Sequence, residues 1–419
     1  MSRLRGIVPL FFVLIINMLG YGILYFRQEE NGTELLKYGL IVCALILVTF
    51  LIVRLGNMGD PYLFLIVSLL LSIGMMMLFR LDWKHGEHQV YWFMASIGVF
   101  FASYFIYRYF PYWDRLTVLY IIGSVGLFLA TLLFGKSIKG ARNWIVIGND
   151  LLSFQPSELI KILYIFTLAC FFTNEYHEAD RLIPRLYGTK NGRQLLLAGV
   201  TYMNLGFLVL QKEWGLACLF FIIYFCLSYV YGSNPLFLLA NLALASVGAL
   251  GGYFTMYHIQ VRVATWLHPF EDVAGKGYQI TQSLFAIGSG GFAGSGFGAG
   301  SPYFIPEVHS DFIFAAICEE MGILGGIGVI MLYFMFVYRG FKIALSVTNP
   351  FHKVMALGIT VMYGFQTFII VGGVIKFIPL TGITLPFISY GGSSLLTSFI
   401  ALGILQAISS RKEDLSDDI

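Results

Sequence analysis

The chain has 419 residues, of which 58% are apolar and only 12% charged, with a net charge of +3. Soluble proteins carry about 25% charged residues, so a water-soluble globule, a disordered chain and a collagen-like fibre are excluded. The small, scattered positive charge leaves no nucleic-acid footprint either. What remains is a polytopic membrane protein.

The N-terminal Met1-Ser2-Arg3-Leu4-Arg5 and the apolar residues after it look like a secretory leader. Phe26-Arg27-Gln28-Glu29 stands where a small-residue cleavage site would be needed, so the stretch is read as a retained first span. A spanning helix needs roughly 20 mostly apolar residues. Twelve such runs follow one another, at 7–26, 38–53, 62–79, 90–107, 116–134, 159–173, 195–210, 216–231, 236–257, 312–338, 354–374 and 385–408. They are continuous rather than alternating, which excludes a β-barrel and predicts an all-α bundle. An even number of spans puts both termini on one side, and the Lys/Arg balance favours the cytoplasm for them. The five cysteines, Cys43, Cys170, Cys218, Cys226 and Cys318, lie inside apolar runs without a CxxC pair. They are read as small buried hydrophobes, not as disulfides or a zinc site.

Polar chemistry collects in two long loops on the opposite side, 135–158 and 258–311. Loops of that length are functional or disordered, and the second is rich in glycine and aromatics, which argues against disorder. The first cluster is Lys139-Gly140-Ala141-Arg142-Asn143-Trp144, followed by Phe154-Gln155-Pro156-Ser157-Glu158 and Lys161. Pro156 and Ser157 suit a first helical turn. Glu158 and Lys161 share a helix face and can pair there, as a local ion pair or as part of a functional interior.

The second cluster is Trp266-Leu267-His268-Pro269-Phe270-Glu271-Asp272, then Gly275-Lys276-Gly277-Tyr278-Gln279, leading into a glycine-dense stretch to Gly300. It has no Gly-Lys-Ser/Thr and no βαβ context, so the glycines are read as tight turns or close backbone approach, not as a nucleotide cradle. The third is Pro306-Glu307-Val308-His309-Ser310-Asp311-Phe312, with Glu319-Glu320 inside the following span. Asp311 enters the lipid from a loop. It is either a general base meeting substrate at the water boundary or a helix N-cap. The fourth runs from Lys376 through Leu385-Pro386-Phe387-Ile388-Ser389-Tyr390-Gly391-Gly392-Ser393-Ser394. Its prolines, glycines and hydroxyls predict a broken helix or re-entrant turn lining a cavity.

Together these motifs resemble the SEDS family (shape, elongation, division and sporulation) over about residues 60–408. The resemblance rests on Gly140–Trp144, Gln155–Glu158 with Lys161, Gly277–Gln279 with Gln282-Ser283, Pro306–Ala315, Glu319-Glu320 and Leu385–Ser394. It implies a membrane glycosyltransferase core at 59–410, preceded by a further N-terminal helix pair at 1–58 that lies outside the resemblance and followed by a short cytoplasmic tail at 411–419. Two departures stand out: the first two helices, to about Val53, are additional to the family's usual ten or so spans, and its usual Gln-Pro-Asp-Leu-Gly-Thr reads Gln211-Lys212-Glu213-Trp214-Gly215-Leu216 here.

The resemblance further implies a bacterial cytoplasmic-membrane enzyme, serving cell shape, division or sporulation. It would polymerise Lipid II on the outer face, with Asp311 as the catalytic residue. The candidate substrate-binding residues are Arg142, Trp144, Gln155, Ser157, Glu158, Lys161, Arg262, Lys276, Gln279, His309, Lys376, Ser389 and Ser393. Among these, Arg142, Arg262, Lys276 and Lys376 are candidates for balancing a diphosphate leaving group. A divalent cation is compatible with such chemistry, although no ligand cluster in the sequence establishes one. The implied partners are undecaprenyl-diphosphate-linked glycan, membrane lipid and a class B penicillin-binding protein. The alternative function is a Lipid II transporter, which broken helices and intramembrane charges would also suit.

Overall fold

The computed structural model describes residues 7–27, 32–138, 141–147, 152–173 and 190–411. Lys139 and Gly140 of the first cluster and 412–419 of the expected tail lie outside the described residues. Among those described, the chain forms α1 (Val8–Arg27), α2 (Gly32–Leu55), α3 (Pro61–Leu81), α4 (Trp83–Tyr109) and α5 (Thr117–Phe134). A three-stranded sheet follows, β1 (Lys136–Ile138), β2 (Ala141–Ile147) and β3 (Leu152–Phe154). Then come α6 (Pro156–Thr173), α7 (Lys190–Leu210), α8 (Trp214–Val230), α9 (Pro235–Thr255), α10 (Tyr257–Leu267) and α11 (Tyr278–Gly290). The chain closes with α12 (Ile313–Ser346), α13 (Pro350–Val374) and α14 (Gly392–Ser410). Eleven of these helices are long and apolar enough to cross a membrane, and α8 is a shorter apolar helix of 17 residues. Each of the twelve expected spans coincides with one of them, so the chain is a multi-pass helical membrane protein.

Four expectations need correction. The last span begins at Gly392 and not at 385, because Pro386 has no N–H to give a helix and Phe387 takes a left-handed backbone (φ 67°). The 135–158 segment carries an antiparallel meander, with Trp144 opposite Lys136 and Arg142 opposite Ser137. The 258–311 segment holds two helices, α10 and α11. All five cysteines are free, but only Cys170 and Cys318 are buried, and Cys218 is exposed on α8.

The chain divides into two compact units. One comprises Met1–Tyr104, Val261–Arg339 and Gln366–Ile419; the other comprises Phe105–Gln260 and Gly340–Phe365. In the first, α1 and α2 pair and pack on α3. They keep outward apolar faces (Phe11, Leu19, Leu40, Leu55), as lipid requires. The α3 helix is apolar on every side and buried on most of them. Asp60 caps it by accepting from the Tyr62 N–H at 3.0 Å and pairs with Arg339 at 2.5 Å. Gln406 and Ser409 of α14 bond to the Met58 and Asp60 backbone, fixing one end of α14 against the start of α3.

The α12 helix opens at Gly322, whose backbone (φ 70°, ψ −176°) only glycine adopts cheaply. The opened turn pairs with the glycine stretch: Ser295 and Gly296 N–H donate to the Glu319 and Glu320 carbonyls at 2.9 and 3.1 Å. Ile323 N–H returns a bond to the Gly291 carbonyl at 3.0 Å. Glu320 accepts from Arg80 at 3.1 Å and from Gly298 N–H at 2.9 Å, and Glu319 accepts from Ser301 N–H at 2.7 Å. The close backbone approach expected of these glycines is therefore made to a protein helix.

In the second unit α5 packs along α6, α7 packs along α8, and β2 lies on both α5 and α6. Tyr164 stacks on Phe220 at 4.6 Å and Phe128 on Phe207 at 5.1 Å, which fills the space between these helices.

Candidate active site

Asp311 sits two residues before the start of α12. The Phe312 carbonyl accepts from the Ala315 and Ala316 N–H groups, so Phe312 occupies the cap position and the N-cap reading of Asp311 is replaced. A turn precedes it, in which the Glu307 carbonyl accepts from Ser310 and Asp311 N–H at 3.1 and 3.2 Å. The Asp311 side chain is half-buried. Arg262, on α10, donates through Nη1 to the Thr381 carbonyl at 2.9 Å. Gly382 follows, exposed, with φ 72°. A Cβ added there would stand 3.1 Å from Arg262 Nη2 and 3.7 Å from Asp311 Oδ2. An absent side chain thus leaves the carboxylate and the guanidinium open to the outside of the loop. Burial pushes the Arg262 guanidinium down from its ordinary pKa, and the charge of Asp311 pushes it back up. The frame around them is tied: Trp266 Nε1 donates to the Lys376 carbonyl at 3.2 Å, and Ser283 Oγ to the Val374 carbonyl at 3.1 Å.

The neighbouring candidates His309 and Ser389 belong to the same group. Ser389 Oγ donates to the Ser310 carbonyl at 2.6 Å and accepts from Leu385 N–H at 2.9 Å. Tyr390 N–H donates to the His309 carbonyl at 2.9 Å. Residues 389–390 therefore clamp the backbone immediately before Asp311. The His309 ring stacks on His85 at 4.5 Å, and Tyr390 packs edge-on to both. Ser393 is buried in the first turn of α14, its hydroxyl without a hydrogen-bond partner. Lys276 and Gln279 are exposed at the head of α11, and the Lys276 N–H donates to Asp272 at 2.9 Å. Lys376 is half-buried on a left-handed turn (φ 62°) and holds Trp266 through its backbone, a role independent of its charge.

The remaining candidates gather in the second unit around a residue that the sequence reading flagged only as a departure, Glu213. Its Oε1 accepts from Asn143 Nδ2 at 2.5 Å, Gln155 Nε2 at 2.7 Å and Ser157 Oγ at 3.1 Å. Glu158 and Lys161 pair at 2.9 Å, both buried, as their spacing predicts. Burial pushes the Glu213 carboxyl above the usual carboxylate range; the three donors oppose this, and Glu158 adds to it. Trp144 is half-buried on β2, and Arg142 precedes it by two residues on the same strand.

Asn143, Thr381, Gly382 and His85 were not among the candidates. Asn143 and Gly382 lie inside or beside quoted motifs, so position alone was a signal. His85 comes from α4, and nothing local in the sequence connects it to His309. Among the described residues no group of three or more His, Cys, Asp or Glu side chains is arranged to hold a metal ion.

Comparison with known proteins agrees with this architecture. Residues 60–414 match the family model described as "Cell cycle protein", which covers the FtsW, RodA and SpoVE proteins. The chain is 34% identical over 408 residues to the peptidoglycan glycosyltransferase RodA of Mycobacterium bovis, covering 91% of this chain and 85% of that one. It is 31% identical to the stage V sporulation protein E of Bacillus subtilis, covering 84% and 96% respectively. A solved peptidoglycan synthase complex, described as coordinating polymerization and crosslinking, contains a chain that superimposes with a TM-score of 0.69 at 26% identity, over 86% of this chain and 99% of that one. The crystal structure of the Thermus thermophilus rod shape determining protein RodA shares the fold, with a TM-score of 0.58 at 24% identity over 84% of this chain and 96% of that one. With the family model spanning most of the chain, from the start of α3 to beyond α14, and these relatives matched over most of their length, the chain belongs to the FtsW/RodA/SpoVE family.

Proposed function

We propose that this protein is a peptidoglycan glycosyltransferase that polymerises Lipid II at the outer face of the bacterial cytoplasmic membrane, with both termini in the cytoplasm. The names of its relatives, and eleven helices long enough to cross a membrane among the described residues, support the reading. The observation that carries the mechanism is the half-buried Asp311 beside Arg262 under an exposed Gly382. The donor is a growing strand on undecaprenyl diphosphate, and the acceptor is the GlcNAc 4-hydroxyl of an incoming Lipid II. Asp311 takes the hydroxyl proton as that oxygen attacks the anomeric carbon, and the diphosphate leaves from the opposite face. One base and one displacement invert the α-linked donor into a β-1,4 bond. An ionised Asp311 and Arg262 complement each other before reaction. Once Asp311 is protonated, the Arg262 charge becomes available to the departing diphosphate.

The partner is a class B penicillin-binding protein whose transpeptidase crosslinks the new strand. The solved relative that coordinates polymerization and crosslinking supports this. The test is purified protein with that partner and Lipid II. Glycan should form with the wild type and fall by roughly 10²–10⁴-fold in Asp311→Ala, the span of a lost general base. A wild type that makes no glycan overturns the enzyme reading, and undiminished glycan in Asp311→Ala overturns the assignment of the base.

A further inference from the structure

Glu213 stands on the turn between α7 and α8, and three donors converge on a single one of its oxygens. The other oxygen, Oε2, is buried and unpartnered, and so is Asn143 Oδ1. Two bare acceptors are thus left on the two groups that Asn143 Nδ2 and Glu213 Oε1 already join. An ionised carboxylate cannot relieve this, because it accepts only. A carboxylic acid facing a primary amide can: the amide N–H donates to one carboxyl oxygen, and the carboxyl O–H donates to the amide oxygen.

We propose that Glu213 is held as the neutral acid, its Oε2 proton donated to Asn143 Oδ1, closing an acid–amide ring that fastens β2 to the head of α8. Glu213 is then a positioning residue for the strand that carries Arg142 and Trp144. The charged groups of the surrounding elements do not favour an ionised Glu213. On α6, Lys161 is engaged with Glu158 at 2.9 Å. Lys212 on the same turn is exposed, and so is Lys136 on β1. The upward push on the Glu213 carboxyl from burial and from Glu158 acts in the same direction.

The assignment rests on the polymerase reading only for its activity arm. Infrared difference spectra of wild type against Glu213→Gln at neutral pH should contain a protonated-carboxyl carbonyl band lost in the variant. Glutamate-labelled wild type titrated upward in pH gives the same readout without any variant. A carboxylate signature at neutral pH overturns the proposal. In the Lipid II assay Glu213→Gln, which supplies both halves of the ring as an amide, should polymerise at close to the wild-type rate. Glu213→Ala, with the strand released, should lose roughly 10²-fold, as a misplaced site does. A Gln variant as impaired as the Ala variant overturns the positioning role. A wild type with the infrared band but no glycan overturns the polymerase reading and leaves the proton where it is placed here.

Discussion

The centre around Asp311 and the nest around Glu213 each set a carboxyl group among polar partners, yet they differ in what surrounds it. Asp311 is half-buried at the mouth of a helix, faces a cation, and is bordered by a glycine that leaves one side open. Glu213 is buried, faces three neutral donors, and closes a sheet against helices. A reacting group has to meet substrate and water, whereas a structural polar group has to be satisfied by protein alone. The first centre is therefore organised for rate and the second for stability and placement. Substitutions that separate those two quantities test the division.

The largest separation is expected at Asp311. Asp311→Asn keeps the size and polarity of the side chain but not its capacity to take a proton. Polymerisation should fall by about 10²–10⁴-fold while the thermal unfolding midpoint in detergent stays near wild type. A large drop in that midpoint would mean that Asp311 holds the structure, and the distinction between the two centres would fail.

The buried pair of the second unit should behave in the opposite way. Lys161→Met takes away the buried cation that Glu158 pairs with at 2.9 Å, and breaking one side of such a pair costs about 3–5 kcal/mol. Glu158→Gln combined with Lys161→Met removes both charges and should restore most of the lost stability. If the single variant unfolds at the wild-type temperature but loses activity, then Lys161 serves substrate and not the fold.

A smaller effect, confined to rate, belongs to Gly382. Alanine there must hold a left-handed backbone, at a cost of roughly 1–2 kcal/mol. Its Cβ would also press on Arg262 Nη2 at 3.1 Å. The loop carrying Gly382 is exposed, so the strain should appear as about a tenfold loss of polymerisation (1.4 kcal/mol per decade in rate), with little change in midpoint. Unchanged kinetics in Gly382→Ala would detach this loop from the chemistry.

How much of this was readable beforehand follows from the range of each interaction. Spans were legible because a lipid-crossing helix must be continuously apolar over its whole length, and each of the twelve runs became a helix. The Glu158–Lys161 pair was legible because three residues on a helix return to the same face. The break before Gly392 was signalled by Pro386, but its end was set by how Ser389 clamps Ser310, a contact across 79 residues. The β1–β2–β3 meander was missed because its two outer strands have three residues each, too short for an alternating pattern to show. Arg80 with Glu320, His85 with His309 and Asn143 with Glu213 join distant parts of the chain, and no local rule pairs them. Glu213 drew notice only as a departure from the family motif; its three donors, from Asn143, Gln155 and Ser157, are distant in sequence and no local rule brings them to it.

The smallest expected effect concerns pH and bears on the second centre alone. Because burial raises the Glu213 carboxyl above the usual carboxylate range, the folded protein keeps that proton where the unfolded chain has already released it. Between those two points the native state binds more protons than the unfolded state, so stability must fall as pH rises. The contribution is fully present below the ordinary carboxylate range and is lost as pH climbs through the raised value. Thermal midpoints taken over a pH series should show this decline in wild type and a flatter course in Glu213→Gln, which has no proton to lose. Asp311→Asn should retain the wild-type slope, since its partner Arg262 and its half-open position lie in the other unit. If the slope instead vanished in Asp311→Asn and persisted in Glu213→Gln, the titrating group would be the one placed here in the reaction, and the two centres would have to exchange roles.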